Sequence, residues 1–281
     1  MIGEKQYMGF IIIGLVLIGI GVYLAWFQRR KTGDALLDIQ ATQTSTIADV
    51  KEAMADMASI SDSYREYCEL KGTVKAKNPQ KAPFSQKEAA FYRATTYRVY
   101  EEQEQYTDSE GNRKTKLVKK EEKISDEESG EELVLTDANG DTIDIETVGV
   151  SGAFDLPKTV DRFEPANVYN GMQFHQNPRR RFQSFDGSFT AGNGARMLGY
   201  RMVEYAFLSG QKLYLLGDAY MNAGTLTFGK PTEKGKQFIV TAKSEEELVS
   251  TKQSSQKMSL IGGIACAVIG LIIMISGFTK L

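Results

Sequence analysis

Residues 258–278 read MSLIGGIACAVIGLIIMISGF, a stretch of 21 residues that contains no charged side chain. A helix rises about 1.5 Å per residue, so this stretch is roughly 30 Å long, the thickness of the hydrocarbon core of a bilayer. Residues 8–27, MGFIIIGLVLIGIGVYLAWF, form a second uncharged stretch of similar length. The two stretches predict two transmembrane helices that enclose the polar residues 28–257 of this 281-residue chain.

The first stretch could also be a secretory signal peptide. Its apolar run exceeds the usual length of about 7 to 15 residues, and the bulky Tyr23, Trp26 and Phe27 stand where a cleavage site needs small residues. Aromatic and then basic residues at the end of a span are typical of an interfacial anchor. We therefore interpret residues 8–27 as a retained span, followed by the candidate membrane-surface contacts Arg29, Arg30 and Lys31.

Residues that could carry catalysis or hold a metal are scarce. The chain has two cysteines, Cys68 and Cys266, and one histidine, His175. A RING domain needs about eight Cys or His ligands and one closed zinc site about four, so neither can be built from these three residues. Common motifs for nucleotide binding, nucleophilic catalysis and zinc proteases do not occur, and the net charge of -2 does not indicate a nucleic-acid partner. We expect no catalytic residue, no cofactor and no metal site.

Residues 28–61 are predicted to form a juxtamembrane linker that contains an amphipathic helix. Thr46 and Asp49 have the spacing of a capping box at the start of this helix. The helix could pack on its own domain, on a partner protein or on the bilayer surface, and the first alternative is favoured. Its apolar face is expected to carry Ile47, Val50, Met54 and Met57.

Residues 62–249 show the alternation of apolar and polar side chains that is typical of strands. The turn DSEGN at 108–112 joins residues 91–106 to residues 113–123 and predicts a protruding, charged hairpin. The fold class is therefore α+β: a mostly antiparallel β domain is flanked by two transmembrane helices, with short amphipathic helices on the membrane side. A second capping box is expected at Ser244 and Glu247, where a helix begins that leads to the second span.

The stretch ELVLTDANGDTIDI at 132–145 predicts another hairpin. Asn139 and Gly140 suit a two-residue type I′ turn, which places Thr136 opposite Ile143 and Val134 opposite Ile145. DANGD could alternatively be a calcium loop, but its glycine is misplaced for an EF-hand and the closing glutamate is missing.

A basic triplet lies in the loop-rich region between residues 157 and 193. Cations close to a bilayer attract anionic head groups by about 1 kcal/mol each. The triplet is a candidate membrane-surface contact, and a solvent-exposed loop is the favoured alternative. It consists of Arg179, Arg180 and Arg181.

Small residues recur on one face of each predicted span. They let helix backbones approach closely, and close packing drives helix association in lipid. The spans are therefore expected to pack against each other, and a homo-oligomer through the same faces is possible; the alternative is that these residues only reflect the frequency of glycine in membrane helices. The candidate packing residues are Gly14, Gly21, Gly263, Ala267 and Gly270.

Four blocks of sequence occur in an order that resembles the GIDE domain family, also called BAM for "beside a membrane". The resemblance covers most of residues 64–249, and both spans fall where the family has them. The blocks are CELKGTVKAKNPQKAPFSQKEAAFYR at 68–93, ELVLTDANGDTIDI at 132–145, LSGQKLYLLGDAYM at 208–221 and FIVTAKSEEELV at 238–249.

The resemblance implies a domain held beside the bilayer by two spans. In the family's mitochondrial ubiquitin and SUMO ligases, a RING domain follows the second span and performs the transfer. Since the RING ligands are missing here, we do not expect ligase activity from this chain by itself. We expect a membrane-anchored interaction module that binds a protein partner or lipid. The alternative is a RING-less subunit or homologue of an E3 ubiquitin-protein transferase in a ubiquitin-like modification pathway.

The distribution of positive charge predicts the orientation in the membrane. Five cations flank the spans on the domain side, whereas the tails carry only Lys5 and Lys280, so the domain is expected to be cytoplasmic with both termini outside. The resemblance implies the opposite side, because the mitochondrial domain faces the intermembrane space. The five cations are Arg29, Arg30, Lys31, Lys252 and Lys257.

Overall fold

The structure is a computed structural model and describes residues 2–58, 61, 63–130, 132–166, 181–184 and 195–279. The chain divides into two compact units. The helical unit comprises Met1–Gln43, Thr232–Gln237 and Lys243–Leu281, and the β unit comprises Thr44–Pro231 and Phe238–Ala242. The predicted fold class, α+β with a β-rich domain between two long apolar helices, is confirmed.

The helices are α1 (Ile2–Val22), α2 (Arg29–Ala41), α3 (Ile47–Ala58) and α4 (Glu245–Phe278), and six residues of π-helix (Tyr23–Gln28) join α1 to α2.

Two of the helical segments, Met8–Ala41 and Glu245–Phe278, are long and apolar enough to cross a membrane, which fits a membrane protein with two spans. Both continue beyond their uncharged stretches. Residues 28–41 and residues 245–257 each add about 20 Å of helix. A linker was expected directly after residue 27, but RRKTGDALLDIQA contains no proline and only one glycine, so the helix continues to Ala41.

Both predicted capping boxes are confirmed. The Ser244 hydroxyl accepts the Glu247 N–H, and the Glu247 carboxylate accepts the Ser244 N–H, so α4 begins with two of its free donors satisfied. Thr46 and Asp49 make the same reciprocal pair at the start of α3. The apolar face of α3 belongs to the core of the β unit, where Ile47, Val50 and Met54 are buried and Met57 is half-buried.

The described residues of the β unit form the strands β1 (Arg65–Ala76), β2 (Gln80–Lys81), β3 (Glu88–Thr107), β4 (Arg113–Glu128), β5 (Leu133–Thr136), β6 (Thr142–Ile145), β7 (Lys158–Pro165), β8 (Arg181–Ser184), β9 (Arg196–Leu208), β10 (Lys212–Asn222), β11 (Thr225–Gly229) and β12 (Ile239–Thr241).

Five strands pair in a closed circle in the order β1-β5-β6-β11-β10, because β10 also pairs with β1. The β6–β11 pair is parallel and the others are antiparallel, and β12 joins the circle beside β10. Closing a sheet leaves fewer free strand edges and encloses a core. This barrel core includes Leu70, Leu135, Leu215 and Phe228, and α3 packs against it.

A second, antiparallel sheet has the order β7-β9-β3-β4-β8, with β2 beside β3. It is built on the long hairpin that the sequence predicted, β3 and β4, which pair from Arg93–Glu128 to Thr107–Arg113. The next strand, β9, pairs with β3 only as far as Glu101. Residues Glu102–Val118 therefore form a two-stranded extension, which we call the arm.

The turn between β5 and β6 differs from the prediction. Thr136 lies opposite Thr142, and Leu135 opposite Ile143, so the predicted type I′ register is wrong by one residue. In the observed register, four apolar side chains share the buried face. The predicted register would have placed Ile143 and Ile145 on the same face as Thr136 and Val134. Where only one face of a sheet is buried, burial of the apolar side chains determines the register. The four buried side chains are Leu133, Leu135, Ile143 and Ile145.

Asp137 stabilises this turn, and its bonds argue against the alternative that DANGD is a calcium loop. Its Oδ1 accepts the N–H groups of Asn139 and Asp141 at 2.9 and 3.0 Å, while its Oδ2 accepts the N–H of Ile47 at 3.0 Å. Gly140 adopts a φ of 91°, as expected for the left-handed residue of a three-residue hairpin loop. The carboxylate thus bonds the turn and the start of α3, and does not face a cation site.

A buried carboxylate, Glu204 on β9, fixes the loop between β2 and β3. It is fully buried, and its Oε2 accepts the N–H groups of Phe84 and Ser85 at 2.7 and 3.1 Å. Its Oε1 accepts the hydroxyl of Thr159 at 2.7 Å. The loop residues Ala82 and Phe84 can therefore cover the apolar cluster around Tyr92 without leaving their backbone donors unpaired.

Replacing Glu204 by alanine should lower the free energy of unfolding by about 3 kcal/mol, because the buried N–H of Phe84, the half-buried N–H of Ser85 and the hydroxyl of Thr159 lose their acceptor. Denaturant unfolding of the full chain in detergent, followed by near-UV circular dichroism, measures this. Glu88→Ala removes an exposed carboxylate at the start of β3 and serves as the control. Equal stability of the two variants would show that the Glu204 bonds contribute little.

Candidate functional site: the paired apolar helices

The helices α1 and α4 approach each other at small residues. A Cβ atom placed on Gly14 would lie 2.6 Å from the carbonyl oxygen of Gly270, and one on Gly270 would lie 2.7 Å from that of Gly14. Gly21 and Gly263 face each other in the same way, at 2.6 and 2.7 Å, and Ala267 lies beside Gly21. The structure thus brings all five candidate packing residues into one contact between the helices.

Other glycines of the same helices have a different environment. A Cβ atom on Gly9, Gly19 or Gly262 would meet no atom within 4 Å. The contact between the helices therefore selects particular glycines, and Gly262 and Gly263 are neighbours in sequence that lie on different faces of α4.

The faces of α1 and α4 that point away from the contact are apolar and exposed. Soluble proteins rarely expose contiguous apolar areas of this extent, whereas hydrocarbon would cover them. The exposed side chains include Ile12, Ile13, Leu15, Val16, Ile20, Ile261, Ile264, Val268, Ile269, Ile272 and Ile275.

An aromatic group marks one end of these faces. Tyr23, Trp26 and Phe27 lie in the π-helical segment and are 60, 66 and 62% exposed. The rings of Tyr23 and Phe27 stack with their centroids 6.0 Å apart. Exposed aromatic rings at the end of an apolar helix suit the interface between hydrocarbon and head groups.

Cations follow directly after the aromatic residues on both helices. A Cβ atom on Gly33 would lie 3.2 Å from the amide nitrogen of Gln256, so residues 29–33 of the first helix and residues near 256 of α4 lie at the same level. We call the five cations at this level the basic collar. It consists of Arg29, Arg30, Lys31, Lys252 and Lys257, of which Lys252 is half-buried and the others are exposed.

Two open grooves beside the π-helical segment place collar cations next to aromatic rings. In the first, of about 500 Å³, Arg29 and Arg30 line the wall with Trp26, Gln256 and the carboxylate-bearing Asp34. The second groove has a volume of about 630 Å³. Its lining includes Tyr23, Phe27, Gln28, Lys31, Thr32 and Lys252.

The sequence indicated the five cations, but it did not indicate that Gln256 and Thr32 join them in grooves. That depends on α2 continuing the first helix and packing against α4, which no local motif signals. The other candidate contacts, Arg179 and Arg180, lie outside the described residues. Arg181 begins β8, where its backbone pairs with that of Glu128, and the position of its side chain is not described.

Comparison with known proteins agrees with this architecture. Residues 101–274 match the GIDE family, which is described as E3 ubiquitin ligase. The match covers more than half of the chain and extends from β3 through the remaining strands into α4. The chain belongs to the GIDE family. The resemblance to this family is confirmed, although the block at 68–93 precedes the matched residues. No curated protein and no solved structure matches the chain significantly.

Two kinds of centre can be assessed among the described residues, a reactive thiol and a metal site. Cys68 is 1% exposed in the barrel core, and burial raises the pKa of its thiol to about 12, so the nucleophilic thiolate is scarcely populated near neutral pH. No group of three or more His, Cys, Asp or Glu residues within the described ranges could hold a metal ion. His175 lies outside these ranges.

A buried polar network in the barrel is also structural. The carboxylate of Glu69, 1% exposed, accepts the hydroxyl of Tyr214 at 2.7 Å and that of Thr44, and Lys71 pairs with it at 2.9 Å. These bonds satisfy the charge within the protein and hold the segment that leads into α3 against β1. The sequence did not indicate the role of Glu69, because its position in β1 fits the pattern of an ordinary strand residue.

Gly263→Leu should destabilise the GIDE chain by about 1–3 kcal/mol or separate α1 from α4, because the added side chain meets the Gly21 carbonyl and Ala25. Gly262→Leu adds the same atoms where nothing lies within 4 Å and is the matched control. Thermal unfolding in detergent distinguishes the variants. If both melt at the same temperature, the close approach of the helices does not stabilise the protein.

Proposed function

We propose that this chain is a membrane-anchored interaction module. Its two helices cross the bilayer side by side, its basic collar binds anionic lipid head groups, and its β unit is held beside the bilayer to bind a protein partner. The observation that carries the proposal is the order of surfaces along the helix pair: an exposed apolar face, then exposed aromatic rings, then five cations.

The chemistry of the collar supports an anionic lipid as its ligand. Arg29 and Arg30 present guanidinium groups, which match phosphate oxygens with several donors in a fixed plane. Trp26 lies in the same groove and can pack beside acyl chains or glycerol. Because Asp34 also lines this groove, the cations there exceed the carboxylates by only one, and the second groove with Lys31 and Lys252 adds two more cations.

The family description supports a second candidate function. The chain could serve in ubiquitin-like transfer as the part that binds a substrate or positions a ligase in the membrane. These 281 residues contain three Cys and His residues in all, so the RING chemistry would have to come from residues outside this sequence. Both candidates require an interaction surface on the β unit, and they differ in the partner that the surface binds.

We expect the β unit to lie in the cytoplasm, because the collar places its cations on the domain side of both spans. Ser109 lies in the exposed turn between β3 and β4 and is suited to a reporter thiol. In intact cells, Ser109→Cys should escape an impermeant maleimide and should react only after permeabilisation. Cys68 remains silent in this assay because it is buried. Labelling of intact cells would place the β unit outside.

Neutralising part of the collar should weaken lipid binding. The variant Arg29→Gln, Arg30→Gln, Lys31→Gln removes three charges, each of which contributes about 1 kcal/mol of attraction to an anionic surface, so affinity for phosphatidylglycerol should fall roughly 100-fold. Native mass spectrometry of the detergent-purified chain, titrated with phosphatidylglycerol or phosphatidylcholine, measures the bound lipid.

The control for this experiment neutralises three exposed lysines of the β unit, Lys75→Gln, Lys212→Gln and Lys230→Gln. It changes the net charge equally and should leave lipid binding unaltered. The proposal fails if both triple variants lose lipid to the same extent, or if the wild-type chain binds the zwitterionic and anionic lipids equally well.

A further inference from the structure

Among the described residues, both outer strand edges of the arm, Glu102–Val118, are without a neighbouring strand. Within the described residues its strands pair only with each other, because β9 ends its pairing with β3 at Glu101. Each strand of the arm runs for about six residues, or roughly 20 Å. A strand edge carries N–H and C=O groups that can pair with another strand.

The two strands carry charges of opposite sign in the arm and at its base. On the β3 side, residues 101–107 carry Glu101, Glu102 and Glu104 and no cation. On the β4 side, residues 113–120 contain no carboxylate. One edge is therefore acidic and the other is basic. The cations of the basic edge are Arg113, Lys114, Lys116, Lys119 and Lys120.

Pairing within the hairpin uses only part of this charge. Lys116 lies 3.4 Å from Glu104, and Lys120 bonds Glu102. Lys114 lies 2.8 Å from Asp108, and Glu101 pairs with Arg196 of β9 at 3.2 Å. The cation of each of these pairs has a side chain that is at least 39% exposed, and exposed pairs contribute little stability. Arg113 makes no ion pair among the described residues. The ammonium group of Lys119 lies 5.7 Å from the ring centroid of Phe163. The basic edge thus retains positive charge.

Apolar groups also remain uncovered along the arm. Leu117 is 66% exposed on β4, and Tyr106 is 41% exposed on β3. Leu117 lies opposite Gln103, and Tyr106 lies opposite Lys114, so the two side chains point to opposite faces of the hairpin. A strand added to either edge would cover part of one of them.

We propose that the arm docks a second copy of this chain, with the acidic β3 edge of one copy beside the basic β4 edge of the next. Of the three possible edge pairings between copies, β3 with β3 opposes carboxylates, and β4 with β4 opposes cations. Like charges placed directly opposite destabilise a strand pair, whereas opposite charges stabilise it. Only the mixed pairing brings the carboxylates of one copy beside the cations of the next.

In this pairing, β4 of one copy runs antiparallel to β3 of the next, as the two strands do within each hairpin. Because different edges meet, the contact is head-to-tail, and each copy keeps one edge available for a further copy. The arm therefore specifies an assembly of several chains and excludes a symmetric edge-to-edge dimer.

Single-cysteine chains test which edges meet. One chain carries Gln105→Cys on the acidic edge and another carries Thr115→Cys on the basic edge, both with Cys266→Ala. Cys68 is retained because it is buried. The full chains are reconstituted together or separately in lipid vesicles and treated with a short bismaleimide. We expect dimers in the mixture and none in either chain alone.

Every other pattern overturns the proposal. Cross-linking of the Gln105→Cys chain alone would indicate a symmetric β3 contact, and cross-linking of the Thr115→Cys chain alone a symmetric β4 contact. The absence of dimers in the mixture would show that copies do not meet at the arm, which would then serve another partner or none.

A charge exchange in the arm and at its base, where Lys120 lies, tests the physical cause. The variant Glu102→Lys, Glu104→Lys, Lys116→Glu, Lys120→Glu keeps opposite charges in the 104–116 and 102–120 pairs but removes the contrast between the two edges. In the cysteine background, cross-linking in the mixture should fall about tenfold, since several opposite-charge contacts are lost. The control Arg98→Glu, Glu122→Arg exchanges an ion pair of the same sheet outside the arm and should not change the yield. Undiminished cross-linking in the arm variant would refute charge matching.

Discussion

Close contact between two helix backbones is the constraint on which this architecture depends. At Gly14 and Gly270, and again at Gly21 and Gly263, the missing side chains let a carbonyl of one helix approach the Cα of the other. In hydrocarbon, where burial of apolar surface provides no driving force between helices, such close packing is a main source of association. It turns two apolar segments that are far apart in sequence into one anchor. The β unit is then a long insertion between the two halves of that anchor.

In the β unit, carboxylates join segments of the chain that are far apart in sequence. Asp137 bonds its own turn and the first turn of α3, Glu204 holds a loop, and Glu69 ties the entry segment to the barrel. Each joins parts of the chain that lie far apart in sequence, and each has its charge satisfied by N–H, hydroxyl or ammonium groups. Buried charge of this kind stabilises a particular arrangement of elements rather than a reaction.

Local patterns predicted the parts of the structure that local forces determine. The spans follow from length and hydropathy, the start of α3 and α4 from capping residues, and the buried face of α3 from helical spacing. The register of β5 and β6 could not be read from Asn139 and Gly140, because the barrel core, not the turn, decides which side chains are buried. The grooves of the collar likewise needed the pairing of α2 with α4. Glu204 gave no signal, since two of its partners are backbone groups about 120 residues away and the third is a threonine on another strand.

The closed circle of the barrel has a further consequence for biogenesis. Its strand β1 lies next to β10, whose residues are about 140 positions later, and the parallel pair β6–β11 spans more than 80 residues. At a synthesis rate of about 5–20 residues per second, β1 waits on the order of ten seconds for its neighbour to leave the ribosome. During that time the first apolar helix is already available for insertion, while β1 still lacks its neighbour β10 and the circle of strands is open. Long-range pairing of this kind is intrinsically slow, so the nascent β unit is exposed to misfolding for longer than the helices that anchor it.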